Sequence, residues 1–212
     1  MTEIRRYRAS DRAALDALFL RAGAGSPSGV LWGHAESERA VYLDPYIDHC
    51  ADTVYVAEDR GDMVGYLTGC PPGSTLPPED DRIVGALMRP AVLLRPATMR
   101  FLGRAAVDAL RSRGEGASSG ELRDPRWPAH LHIDLLPEAR GTGAAQALMD
   151  AWLARLDGAG CYLQTLVENP RAVRFFDRAG FVPHGPTPTV PGVRYLGARV
   201  HQLTMVRPSG GA

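Results

Sequence analysis

Residues 129–145 read Ala129-His130-Leu131-His132-Ile133-Asp134-Leu135-Leu136-Pro137-Glu138-Ala139-Arg140-Gly141-Thr142-Gly143-Ala144-Ala145. From Ala129 to Leu135 the odd positions are apolar and the even positions polar, which is the period of a strand with one buried face, and Pro137 ends it. Ala145, Leu148, Met149, Trp152, Leu153 and Leu156 then recur at the spacing of an amphipathic helix. The turn between strand and helix is the natural seat of an anion, because the first amides of a helix lack internal partners and sit at the positive end of its dipole. Gly141 and Gly143 bring no side chain to block an approach, and Arg140 and Thr142 add donors. A glycine turn here also serves as plain connection, and its spacing does not fit the G-x-G-x-x-G dinucleotide pattern.

Downstream, Cys161 to Val167 reads as a second buried strand, and Asn169-Pro170 opens a helix with a capping residue followed by proline, which Gly180 closes. Phe181-Val182 and Gly197 to Val206 complete the strands. Upstream, Glu3 to Arg8 is a short strand, and Ser10 is a candidate cap for a helix through Ala22 that the Gly23 to Gly29 stretch breaks. A helix over Ala35 to Cys50 is ended or kinked by Pro45. Val54–Ala57 and Met63–Leu67 form a hairpin about Glu58–Asp62. A mainly helical excursion over about 81–127 is interrupted at Pro90 and Pro96 and runs into the connector Gly114–Gly120.

The 212 residues, 45% hydrophobic, fit one domain over 1–212, with the excursion as an insertion. The 24 basic and 24 acidic groups cancel, without the basic cluster that nucleic acid or an anionic membrane requires, so neither partner is expected. Every basic residue is Arg, which excludes a Schiff-base lysine and a Walker-type phosphate lysine. Three cysteines without C-x-x-C spacing point to reduced thiols and a cytoplasmic setting. There is no apolar leader and no run of 18 apolar residues.

Arg140-Gly141-Thr142-Gly143-Ala144-Ala145 resembles the R/Q-x-x-G-x-G/A motif of the GNAT superfamily of acyl-CoA-dependent N-acetyltransferases. Asn169 to Phe181 is similar to that family's next motif, N-x-x-A-x-x-x-Y-x-x-x-G-F, and Asn169 is the only Asn in the chain. The resemblance implies an α/β fold with a central mixed, mostly antiparallel sheet, splayed between its fourth and fifth strands and covered by helices on both faces. It implies acetyl-CoA as cosubstrate and no metal, with the pantetheine in the splay and the pyrophosphate on amides 140–145, those of Arg140, Gly141, Thr142, Gly143, Ala144 and Ala145. Leu135 and Leu136 would offer backbone to the acetyl group, and Asn169, Arg171 and Phe176 would lie along the coenzyme. Val54–Asp59, Gly65–Cys70 and Pro128–Leu135 look, more narrowly, like the acetyltransferase-like C-terminal domain of O-GlcNAcases and its free-standing relatives, a group suspected of binding acetyl-CoA without efficient transfer.

The activity so implied is direct attack of an unidentified amine on acetyl-CoA, by a monomer or homodimer; the alternative is a non-catalytic acetyl-CoA-binding or protein-interaction module. Transfer needs a base, a polarised carbonyl and usually an acid for the departing thiolate. Phe176 stands where the family motif has its acid tyrosine. The face of the strand that bears a base in some relatives carries Ala129 and Leu131 here, and His130, His132 and Asp134 share the other face. A bulge at the splay would turn Asp134 toward the acetyl group, making Asp134 the first base candidate, His132 the second and Glu168 a further one. The two histidines and aspartate also have the composition of a 2-His-1-carboxylate metal site, but i, i+2 residues diverge and no remote ligand is evident. Tyr46 and Tyr195 are candidate acceptor-cleft residues.

Overall fold

The computed structural model describes residues 2–22, 31–112 and 119–210. The break expected over Gly23–Gly29 and most of the Gly114–Gly120 connector lie outside these residues.

The chain begins with β1 (Glu3–Arg6) and α1 (Arg12–Ala22), joined by a 3₁₀ turn at Ala9–Asp11 whose Asp11 carboxylate accepts the Arg8 amide; Ser10 is inside this turn and caps nothing. Next come α2 (Ala35–Tyr42) and α3 (Asp44–Cys50), with Pro45 in the first turn of α3. The proline therefore starts a helix, where its missing N–H costs nothing. The hairpin is β2 (Tyr55–Asp59) and β3 (Asp62–Cys70), closed by Arg60 and Gly61, both at positive φ. The excursion holds α4 (Glu79–Leu87), α5 (Pro90–Leu93) and α6 (Pro96–Arg111), with Pro90 and Pro96 again at helix starts, and residues 121–128 are not helical.

Then follow β4 (Ala129–Leu135), α7 (Ala144–Arg155), β5 (Cys161–Leu166), α8 (Pro170–Arg178), β6 (Val182–Pro183), β7 (Thr189–Tyr195) and β8 (Ala198–Arg207). Strand β7 contains Pro191-Gly192, which reads as a bend; it pairs only with β8 through an irregular register, an edge position that tolerates proline.

The sheet order is β1-β2-β3-β4-β5-β8-β6, with β7 on β8, and among the described residues only β4 and β5 run parallel. Their pairing covers just Ala129↔Cys161 and His130↔Tyr162. Beyond that point β4 stays with β3 up to Gly65↔Leu135, while β5 stays with β8 down to Leu166↔Gln202. The sheet thus parts between its fourth and fifth strands.

The odd positions of β4 join the main apolar core with α7 and α8, around the fully buried Trp152. Gly69 of β3 makes this packing possible, since a Cβ there would fall 2.3 Å from the indole ring. On the other face α1 and α3 close a second core around Leu15, Tyr46 and Tyr66, and α2, α5 and α6 pack a third with β7 and β8.

Candidate active site

The last rungs of β4 turn their backbone toward the gap. Leu136 N–H donates to Val64 O of β3 at 2.9 Å. Amides alternate sides along a strand, so Leu135 and Ile133 face β5, which has already parted from them. On β5, Val167 N–H donates to His201 O of β8, so Leu166 and Gln164 face back toward β4; the Leu166 carbonyl is spent on the Asn169 amide at 2.9 Å, which leaves Gln164 as the open rung. Two open backbone edges therefore line the splay. Of the two residues expected at the acetyl group only Leu135 has a free amide; that of Leu136 is spent on β3.

A 3₁₀ turn at Pro137–Ala139 leads from β4 to α7 and uses some of the expected donors internally. The Arg140 amide donates to Pro137 O, the Thr142 amide and hydroxyl both donate to Ala139 O, and the Ala144 amide lies 3.4 Å from Thr142 Oγ1. The amides of Gly141, Gly143, Ala145 and Gln146 have no acceptor within the described residues. Gly141 and Gly143 adopt φ of +81° and +89°, and nothing lies within 4 Å of where their Cβ atoms would be. No side chain accepts from the α7 amides at normal distance, so the helix start is open. Arg140 has no carboxylate partner among the described residues, and partial burial followed by the nearby Arg171 charge holds its guanidinium below the usual range. Arg140 and Arg171, neither in an ion pair among the described residues, are thus close enough for their charges to act on each other.

The start of α8 is closed. Asn169 Oδ1 accepts the Ala172 amide at 3.3 Å, and Pro170 follows at the first position. Phe176 is 7% exposed, with its ring centroid 5.3 Å from Phe175 and 6.1 Å from Phe181, so it is core packing.

No bulge interrupts β4; the register with β3 is continuous from Cys70↔His130 to Gly65↔Leu135, and the irregularity of this part of the sheet falls at Ala57/Glu58 in β2. His130, His132 and Asp134 therefore remain on the face that α1 and α3 cover. The face of Ala129 and Leu131 is filled by α7 and offers no room for a base. Asp134 Oδ2 accepts from the Tyr66 hydroxyl at 2.9 Å. Burial pushes the Asp134 carboxyl up to about 6, with the Tyr66 bond and the Arg140 charge pulling it partly back. Burial, then His132 and Arg82, push His130 down to about 3; burial and Arg82 push His132 down to about 4. Both rings are neutral at pH 7. They stand edge-on to Tyr46, with centroids 5.6 and 5.4 Å away.

Between the parted strands on this face is a partly enclosed cavity of about 20 Å³, room for about one water, lined in part by Tyr42, Tyr46, His130, His132, Tyr162 and Gln164. Asp134 is not in its lining, and no group of three metal-ligating side chains occurs among the described residues. Glu168 is engaged elsewhere: it accepts from the His201 amide and lies 2.8 Å from His201 Nδ1, across β5 from β4. Burial raises its carboxyl, but these bonds outweigh burial and hold it below the ordinary range. Tyr195 packs in the third core, remote from Tyr46 and the second.

Tyr66 escapes a reading of the chain because only the β3–β4 register brings it to Asp134. The open edge at Ile133 could have been found by counting back two residues from Leu135.

A sheet parted beside a parallel pair, with an uncapped helix start at the mouth of the gap, is the architecture of acyl-CoA-dependent acetyltransferases. A model described as the acetyltransferase (GNAT) family matches residues 19–181, and the chain belongs to that family. The fold is similar to a structure described as histone acetyltransferase HPA2 and related acetyltransferase from Corynebacterium glutamicum, with 21% identity over 100% of this chain and 98% of that one and a TM-score of 0.62. It also resembles SsHAT, with 24% identity over 99% of each chain and a TM-score of 0.59. A third similar structure is yncA from Salmonella typhimurium, solved with its cofactor acetyl-CoA, with 14% identity over 100% of this chain and 95% of that one and a TM-score of 0.59.

Proposed function

We propose that this protein binds acetyl-CoA in the β4–β5 gap and moves its acetyl group to an amine by direct attack. The observation that carries this reading is the continuity of two unsatisfied backbone surfaces: the open strand edges at Ile133, Leu135 and Gln164, and the free amides of Gly141, Gly143, Ala145 and Gln146. The first suits the amides of a pantetheine arm, the second a diphosphate. The open space over both glycines and the unpaired Arg140 and Arg171 suit the same group.

Acetyl-CoA supplies a thioester, that is, an electrophilic carbonyl and a thiolate leaving group. The Leu135 N–H is the donor available to the carbonyl oxygen. The amine nitrogen bonds to the carbonyl carbon, the carbon–sulfur bond breaks, and the amine proton goes to a base. Asp134, with its carboxyl near 6, is ionised at pH 7 and takes that role; Tyr66 orients it. His132, neutral and less basic, is the second acceptor on the same face. Glu168, tied to His201, and Asn169, tied to Ala172, are spent on β8 and α8 and take no part in the transfer.

Phe176 favours a second reading, in which acetyl-CoA is held without turnover, because the family's acid tyrosine is replaced by a ring sealed in the core. The narrower kinship with O-GlcNAcase-type domains would fit that reading; it rests on three segments that lie on or beside β2, β3 and β4. We further propose one domain over 1–212 with 81–127 as an insertion, acting as a monomer or homodimer. The three buried free cysteines support a cytoplasmic setting. No described helix is long and apolar enough to cross a membrane.

The test is calorimetry with acetyl-CoA, followed by an assay of CoA thiol release against a panel of amines. Binding with release establishes transfer, and binding without release across the panel establishes the second reading. Absence of acetyl-CoA binding sinks both.

A further inference from the structure

The cavity between β4 and β5 has a second wall that the transfer chemistry above does not use. It is contributed by the excursion: Glu79 and Arg82 of α4, and Glu121 from the segment that returns to β4. The three charges do not balance. Arg82 is engaged at all three nitrogens, donating from Nε to Pro77 O, from one terminal nitrogen to Val41 O, and from the other to Glu121 at 2.6 Å. Glu79 forms no ion pair of its own among the described residues, although the Arg82 charge reaches it and the Tyr42 hydroxyl donates to it. Burial, and then the charge of Glu121, push its carboxyl up from the ordinary range by more than Arg82 and the Tyr42 bond pull it down, as expected of a buried carboxylate without an ion pair of its own.

Three further features of the cavity suit a cation. Tyr42, Tyr46 and Tyr162 present aromatic rings around it, and such rings attract cations electrostatically. His130 Nε2 is buried with no hydrogen-bond partner, and its ring lines the cavity as a neutral imidazole able to accept an N–H. A volume near 20 Å³ admits a head the size of water, which an –NH₃⁺ group is and a quaternary ammonium is not.

We propose that this cavity takes the ammonium of the acceptor ahead of transfer, that it selects an unbranched primary ammonium, and that Glu79 is its counter-ion; Asp134 lies outside its lining, and the base candidate within it is His132. The inference rests on the acetyl-transfer reading for the meaning of the site, but not for its detection, since a cation can be bound without acetyl-CoA. It also gives the excursion a role: the specificity charge comes from α4, outside the strands that carry the coenzyme surfaces.

The experiment is calorimetric titration of the whole protein with n-butylammonium chloride, n-butanol and tetramethylammonium chloride, repeated on Glu79→Gln, with acetyl-CoA titrated separately on both proteins. The expected result is binding of n-butylammonium at least fivefold tighter than that of either control. Glu79→Gln should lose at least fivefold in n-butylammonium affinity, with acetyl-CoA affinity unchanged. This variant leaves the Arg82–Glu121 pair intact. A loss of less than fivefold, or butanol bound as well as the ammonium, overturns the assignment. Should Glu79→Gln fail to fold, the nitrogen resonance of His130 Nε2 in the unmodified protein decides: it shifts on addition of n-butylammonium if the subsite is real and stays fixed if it is not. Ammonium binding without acetyl-CoA binding would sink the transfer reading and leave the cation site standing, and the reverse result would sink the cation site alone.

Discussion

Two strand-to-helix units stand side by side, β4 into α7 and β5 into α8, and they finish their backbone in opposite ways. At α8, Asn169 caps Ala172, Pro170 removes one donor, and the carboxylate at the strand end, Glu168, is bonded to His201. At α7 the turn spends its polar groups on itself, leaves four amides open, and places two left-handed glycines under empty space. The carboxylate on its strand, Asp134, is raised to about 6, whereas Glu168 is lowered. A helix that only has to start is capped within the chain; a helix start left open at the edge of a parted sheet keeps its donors for something else.

The strongest way to break this comparison is to fill the open turn. Gly143→Glu places a side chain and a negative charge where the free amides converge, and acetyl-CoA affinity should fall at least about 100-fold, roughly 2.7 kcal/mol. The positive φ of Gly143 adds a second effect, a loss of about 1–2 kcal/mol of apoprotein stability for an ordinary side chain. Gly143→Asn separates the two, because Asn tolerates left-handed backbone. It should keep the melting temperature close to that of the parent protein and bind acetyl-CoA better than the glutamate variant does. Equal affinities in the parent and Gly143→Glu proteins would remove the diphosphate from this turn.

The two carboxylates give the next effect, with opposite signs. Asp134 binds its proton more tightly folded than unfolded, so its contribution to stability is fully present below about pH 4 and is lost as pH rises through about 6. Asp134→Asn should therefore stabilise the protein at pH 8 by about 3 kcal/mol, have little effect at pH 4, and abolish any thiol release that depends on Asp134 as base. Glu168, held low, contributes above its unfolded pKa and loses that contribution as pH falls. Glu168→Gln should thus lower the melting temperature at pH 7, with the deficit shrinking in acid. Chemical denaturation at three pH values reads both, and the same sign for the two variants would contradict the contrast.

The β4–α7 unit can be read from the chain because two periods change cleanly within it, from two residues to 3.6. Other elements could not be read so directly. Pro45, Pro90 and Pro96 look like interruptions of helices, but each opens one, since a first-turn residue has no N–H bond to lose. Strand β7 is masked by Pro191-Gly192; Gly192 is needed because a Cβ there would meet the Phe101 ring at 2.8 Å, a contact fixed only when α6 packs on β7. In the site, the coenzyme turn could be found because its residues are contiguous. The pairing of Tyr66 with Asp134 and the carboxylate at Glu79 depend on strand register and on where the excursion folds back, which no local pattern encodes.

A smaller effect sharpens the comparison from the capped side. Asn169→Ala removes the α8 cap and should cost about 1 kcal/mol, read as a lower midpoint in urea. If the cap is its whole role, acetyl-CoA affinity should stay within threefold of the parent value. A larger drop, with α8 still folded by circular dichroism, would make Asn169 a ligand contact, and the two helix starts would then share the coenzyme.

The smallest effect belongs to Arg140. The four free amides are backbone and survive its removal, so Arg140→Ala should weaken acetyl-CoA binding only several-fold, about 1 kcal/mol or less. Because an exposed cation acts mainly through a field that salt screens, the difference between variant and parent should shrink between 50 and 500 mM salt, as the Debye length falls below about 5 Å. Stability should hold or rise slightly, since Arg140 has no ion pair to lose and stands near the like charge of Arg171. A loss as large as that of Gly143→Glu, or one insensitive to salt, would move the grip from the backbone to the side chain and leave the open amides of α7 without a purpose.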